Sequence, residues 1–186
     1  YCRAFELKRP NVELCMHEMS TGEQLRALAS GDLDVGFLNI GFPPDDLAIL
    51  ALASETLVAC LPEQHALAQQ ADLDLVQLAH EDFVMFARDV SPANYDNVIA
   101  CMHQAGIHPR TTHAARQWLT VVALVSTGCG VALVPACMAR AGINGVRFVP
   151  LRGLKMLTPA IMAWRKSDDR VLLSALVETV RECAQG

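Results

Sequence analysis

Strand-like and helix-like hydrophobic periods alternate along almost the whole of this 186-residue chain, and that alternation restricts its fold more than any other feature. Tyr1 to Arg9 reads as the tail of an amphipathic helix that stops at Pro10. Val12, Leu14 and Met16 then alternate with Glu13, Cys15 and His17, a period of two that predicts a strand. Ser20 and Thr21 follow, with Glu23 and Gln24 three residues after each, so a capped helix should begin here. Leu25, Leu28 and Ala29 have helical spacing, and Gly31 stands where a C-cap belongs. Asp34 to Leu38 reads as the next strand.

The same grammar recurs downstream. Leu57 to Leu61 and Phe83 to Phe86 read as strands, and Ser91-Pro92 opens a helix carrying Val98, Ile99 and Met102, closed by Gly106. Leu119, Val122, Ala123 and Ser126 form another helical face, which ends at Gly128 before the strand Val131 to Val134. Pro135 suits the first turn of a further helix. Val146 to Val149 and Ala160 to Trp164 read as strands, and Leu173, Leu176, Val177 and Val180 are the buried stripe of a last helix. Such alternation predicts an α/β fold of mostly parallel sheet flanked by helices. In folds of that class ligands bind beyond the carboxyl ends of the strands, where helix N-termini present free N–H groups.

Composition removes several functions. With 52% hydrophobic and 19% charged residues the chain is of ordinary globular make-up, and no apolar run reaches the roughly 20 residues that span a bilayer. A net charge of −5 argues against DNA binding by this chain, which needs clustered Lys and Arg. The densest basic region, Arg147, Arg152, Lys155, Arg165 and Lys166, reads as a solvated face. Seven cysteines, at 2, 15, 60, 101, 129, 137 and 183, lack CxxC spacing and suit a reducing compartment, hence a cytoplasmic protein. There is no G-x-S-x-G elbow, H-E-x-x-H or P-loop, and the histidines lack metal-ligand spacing. No enzyme, metal or cofactor is expected.

Five segments, in order, resemble the effector-binding domain of LysR-type transcriptional regulators. Lys8-Arg9-Pro10-Asn11-Val12-Glu13-Leu14 is similar to the family's entry into its second strand, and the stretch from Leu28 to Phe37 (LASGDLDVGF) to its "L..G.lDvgf". Val58 to Ala68 (VACLPEQHALA) resembles the connection into the second lobe. Leu124 to Pro135 (LVSTGCGVALVP) resembles "LVaaG.GvalvP", and Ala163-Trp164-Arg165-Lys166-Ser167-Asp168 the "WR..d" before the final helix. The resemblance implies a type 2 periplasmic-binding-protein-like fold, its two lobes joined by two crossover connections and binding a small molecule in the cleft between them. Lobe I would hold residues 1–61 and 149–186, and lobe II residues 62–148. The family's winged helix-turn-helix, linker helix and first sensor strand would precede Tyr1, so DNA binding is expected only through that missing N-terminal part. Sensing and self-association, as a homodimer or tetramer, are expected of this domain. The segment Pro92-Ala93-Asn94-Tyr95-Asp96 is similar to the branch that senses aromatic acids and muconate-type products, which implies a carboxylate effector.

The candidate ligand-binding residues are Ser20, Thr21, Asn39, Phe86, Arg88, Ser91, Pro92 and Gln117. Ser20 and Thr21 can share two tasks at one helix start, N-capping and carboxylate binding. Thr21 matches a ligand-contacting position of the family. Asn39 stands where some relatives carry a basic residue, and the family's first-strand serine would lie before Tyr1. Phe86 suits a core as well as a cleft. Arg88 can clamp a carboxylate or remain a solvated loop arginine. Arg116, Gln117 and Trp118 precede a helix, and of these Gln117 is the pocket candidate. Two other functions share the scaffold, a transporter's solute-binding protein and a thiol redox sensor using Cys129 and Cys137. A missing export signal and cysteines that flank a buried strand count against them.

Overall fold

The computed structural model describes residues 1–40, 42–153, 157–158 and 160–185. The chain divides into two compact units, Tyr1–Ala53 with Pro159–Gly186, and Ser54–Thr158. The boundaries expected at 61/62 and 148/149 fall inside strands, whereas the observed division lies at 53/54 and 158/159. The physical reason is the strand Glu55–Pro62, which is bonded on both sides to strands of the second unit and stays whole with them. Lys155, part of the basic region, lies outside the described residues.

Unit 1 contains helices α1 (Cys2–Lys8) and α2 (Thr21–Ser30), strands β1 (Gly36–Leu38) and β2 (Leu47–Ala51), and later β9 (Ile161–Arg165) and α5 (Val171–Gln185). Its sheet has the order β1-β9-β2, with β9 antiparallel to both neighbours. Alternate residues of β9 serve opposite faces. Ile161 and Ala163 pack with Leu28, Leu38 and Leu47 on the α2 side, and Met162 packs with Leu173, Val177 and Val180 of α5. Helix α1 lies against α5, where Lys8 and Glu182 form an ion pair. The strand expected over Val12–Met16 is not assigned to any ladder. Its alternation holds only in part: Val12 and Leu14 are half-buried between exposed Asn11, Glu13 and Cys15, but Met16 is exposed.

Unit 2 contains β3 (Glu55–Pro62), a 3-10 helix at Leu75–Leu78, β4 (Asp82–Phe86), α3 (Pro92–Gln104), β5 (Arg110–Ala115), α4 (Trp118–Ser126), β6 (Ala132–Pro135), a second 3-10 helix at Ala136–Ala141, β7 (Val146–Pro150) and β8 (Leu157–Thr158). The helix expected at Pro135 is thus a 3-10 helix. Strand β3 lies between β6 and β7, antiparallel to both, and also pairs with β8. Strands β4 and β5 are parallel. A parallel bridge links β4 to the approach of β6: Val84 N donates to Val131 O and Val131 N to Asp82 O, both at 2.8 Å. Gly130 makes this approach possible. Its φ is 132°, and a Cβ there would stand 2.3 Å from Asp82 O. Phe83 and Met85 face Val98 and Met102 of α3, while Val84 and Phe86 face Val121, Val122 and Val125 of α4.

The α/β class with helices on both sheet faces matches the sequence reading, but the expected mostly parallel pairing needs correction. Among the described strands β4–β5 is the parallel ladder, and β9 and β3 pair antiparallel with their neighbours. Alternation of strand and helix sets strand direction, and β1 and β2 do run the same way, as do β6 and β7. It does not reveal that one opposed strand is inserted between each pair.

Candidate functional site

In unit 1 the candidate residues Ser20 and Thr21 stand at the start of α2. Ser20 caps the helix: its Oγ accepts from Glu23 N at 3.3 Å, and Glu23 Oε2 accepts from Ser20 N at 2.7 Å. The first helical residue is Thr21, half-buried, and its hydroxyl makes no hydrogen bond among the described residues. The N–H groups of Thr21 and Gly22 have no intrahelical acceptor, as at any helix start. Strand β1 returns along α2 in close contact. A Cβ on Gly36 would meet Gln24 Oε1 at 2.9 Å and Leu28 Cδ1 at 3.2 Å. Asn39 is half-buried and lies one residue past β1.

The other end of α2 is fixed by a residue that the sequence reading did not single out for a site. Arg165 donates through Nη1 to Leu28 O and Leu33 O, both at 2.8 Å, and through Nη2 to Asp168 at 3.2 Å. Asp168 also accepts from the Arg170 guanidinium and backbone. Those Arg170 hydrogen bonds first, then the charges of Arg170 and Arg165, hold the Asp168 carboxyl far below the usual carboxylate range despite some burial. The "WR..d" segment is thus a brace on the C-terminal end of α2.

In unit 2, parallel pairing places the C-terminal ends of β4 and β5 side by side, with Ala87 N donating to Ala115 O at 2.8 Å. Helices α3 and α4 both start from that end. Ser91 is the N-cap residue of α3 and is 5% exposed, yet its side chain makes no capping bond. Its Oγ is the one buried side-chain polar atom without a partner among the described residues. Pro92 follows at the first helical position and is exposed. Gln117 is the exposed N-cap residue of α4, also without a side-chain capping bond. Phe86 takes the core alternative: it is 7% exposed and stacks on Trp118 with ring centroids 4.4 Å apart. Arg88 is exposed but engaged. Its Nε and Nη2 donate to the two carboxylate oxygens of Asp96 at 2.8 and 3.1 Å.

A depression of about 370 Å³ at the opposite, N-terminal end of β4 and β5 is lined by His80, Asp82, Arg110, His113 and Cys129 among others. No group of three or more His, Cys, Asp or Glu among the described residues is arranged to hold a metal ion. Cys129 and Cys137 are half-buried and form no disulfide, and they flank the fully buried β6. Burial pushes the Cys60 thiol up to about 12. Among the described residues no helix is long and apolar enough to cross a membrane.

A family model described as "LysR substrate binding domain" matches residues 1–185. Among curated proteins, the chain is 34% identical to the HTH-type transcriptional regulator IlvR of Caulobacter vibrioides, over 98% of this chain and 60% of that protein. It is 32% identical to YnfL of Escherichia coli K12, named as an uncharacterized HTH-type transcriptional regulator, over 89% of this chain and 56% of that one. It is 30% identical to the HTH-type transcriptional regulator CatR of Pseudomonas putida, over 94% and 60%. The chain therefore spans less than two thirds of these relatives. Among solved structures, the effector-binding domain of BenM with its effector benzoate superposes with a TM-score of 0.85 at 24% identity, over 98% of this chain and 83% of that one. Full-length CbnR complexed with its target DNA gives 0.88 at 25% identity, over 100% and 65%.

Proposed function

The chain belongs to the LysR substrate-binding domain family, and from that premise we propose that it senses a small carboxylate, received at the start of α2, for a LysR-type transcriptional regulator. The observation that carries this reading is the division of labour between Ser20 and Thr21. Ser20 satisfies the capping box in both directions, which leaves the half-buried Thr21 hydroxyl and the first N–H groups of α2 uncommitted. A hydroxyl beside free N–H groups at the positive end of a helix dipole is suited to an anion. The benzoate held by the BenM effector-binding domain supports an aromatic acid as the ligand class, with muconate-type acids as the neighbouring candidates.

No bond is made or broken in this function. An effector that favours one conformation of the domain over another shifts its population, and the parent protein's helix-turn-helix converts that shift into altered transcription. The parent acts in the cytoplasm as a homodimer or tetramer. Thermal unfolding against benzoate, salicylate, catechol and muconate tests the reading. At about 100 times Kd a ligand adds roughly 2.7 kcal/mol, which for a domain of this size raises Tm by about 5–10 °C. The shift should disappear in Thr21→Val. No shift with any of the four in the unaltered chain would remove the carboxylate assignment.

A further inference from the structure

We infer that Gln24 is a positioning residue for the carboxylate site at the start of α2, and that Gly36 of β1 supplies the space in which it works. The inference rests on the proposed carboxylate reading and deepens it. Ser20–Glu23 and Thr21–Gln24 both have capping-box spacing, and it is Ser20 and Glu23 that form the box. Gln24 makes a different bond. Its Nε2 donates to Met19 O at 3.1 Å, while its backbone N donates to Ser20 O at 2.9 Å. Thr21, Gln24 and Leu28 share the inward face of the helix, where Thr21 and Gln24 are half-buried and Leu28 is buried. Exposed Glu23 therefore ties Ser20 from outside, and Gln24 ties Met19 from within. Between them the two ties hold the entry to α2 in one arrangement before a ligand arrives.

Gly36 gives the carboxamide its room. Its φ is not in the left-handed region, so the backbone does not demand glycine there. Space does, because a Cβ would stand 2.9 Å from Gln24 Oε1. An added methyl displaces the flexible carboxamide before it displaces the strand, which is paired to Ala163 of β9. Met19 O then loses its donor, and the entry to α2 samples more than one arrangement. A ligand must restore the competent one on binding, and its affinity falls by the fraction of time that arrangement is absent.

The test is titration calorimetry with benzoate and muconate on the unaltered chain, Gln24→Met, Gln24→Ala, Gly36→Ala, the double variant Gln24→Ala with Gly36→Ala, and Thr21→Val. Melting curves recorded alongside separate a weakened site from a smaller folded population. Gln24→Met keeps the side chain's length and removes its donor. It, Gln24→Ala and Gly36→Ala should each bind about three- to tenfold more weakly, the worth of one net hydrogen bond. In the Gln24→Ala background, Gly36→Ala should cost no further affinity, a coupling that two unrelated structural losses do not show. Full affinity in Gln24→Met or Gly36→Ala would overturn the inference, as would losses that multiply in the double variant. If Thr21→Val abolishes binding that Gln24→Met leaves intact, the proposed function stands and this inference falls. If the unaltered chain binds neither carboxylate, both fall.

Discussion

Arg165 and Arg170 close on the carboxylate of Asp168, whose side chain is 5% exposed, and tie it to the C-terminal end of α2 and to Asp34. Because the folded pKa of Asp168 is depressed, its contribution is complete above the unfolded value of about 3.9 and is lost as pH falls below it. Asp168→Asn should therefore lower Tm at neutral pH and flatten the acid-side decline in a pH series of melts. An unchanged acid profile would contradict this. At this scale the start of α2 was readable, because a capping box depends on residues three apart. The Arg88–Asp96 pair was not, since its members lie eight residues apart and meet only through the path of the β4–α3 turn. Phe86 was legible as two alternatives, and its stacking on Trp118 depends on the same chain path.

Among the elements, those with a strong period and clear stops emerged from the sequence: α2 between Ser20 and Gly31, α3 from Pro92, and the apolar strands β3, β4 and β6. Strand β5 did not, because Arg-Thr-Thr-His-Ala-Ala is exposed at its first five residues and carries no apolar alternation. Conversely, Val12–Met16 has an alternating sequence without a ladder, and Met16 is exposed, because side-chain period does not supply a neighbouring strand. The β4–β6 approach depends on Gly130, whose left-handed φ and backbone contact both exclude a side chain. Gly130→Ala should cost at least about 1–3 kcal/mol, visible in urea unfolding. Gly142→Ala, where a Cβ meets nothing within 4 Å, should be the milder change because only its φ of 68° is strained. Equal losses would show that the Asp82 contact is unimportant.

For the molecule as a whole, alternating periods were enough to read an α/β class, and the ordered motifs were enough to read two units crossed twice by the chain. The unit boundaries and the antiparallel insertions of β3 and β9 were not readable, because both follow from pairings between segments distant in sequence. The central claim is that a small carboxylate is received at the start of α2. Its most direct test is an amide ¹H–¹⁵N titration of the chain with benzoate. Saturable shifts at Thr21 and Gly22, absent in Thr21→Val, are the expected result. Shifts confined to His80, Asp82, Arg110 and His113 around the depression at the far end of β4 and β5, with Thr21 and Gly22 unmoved, would contradict it.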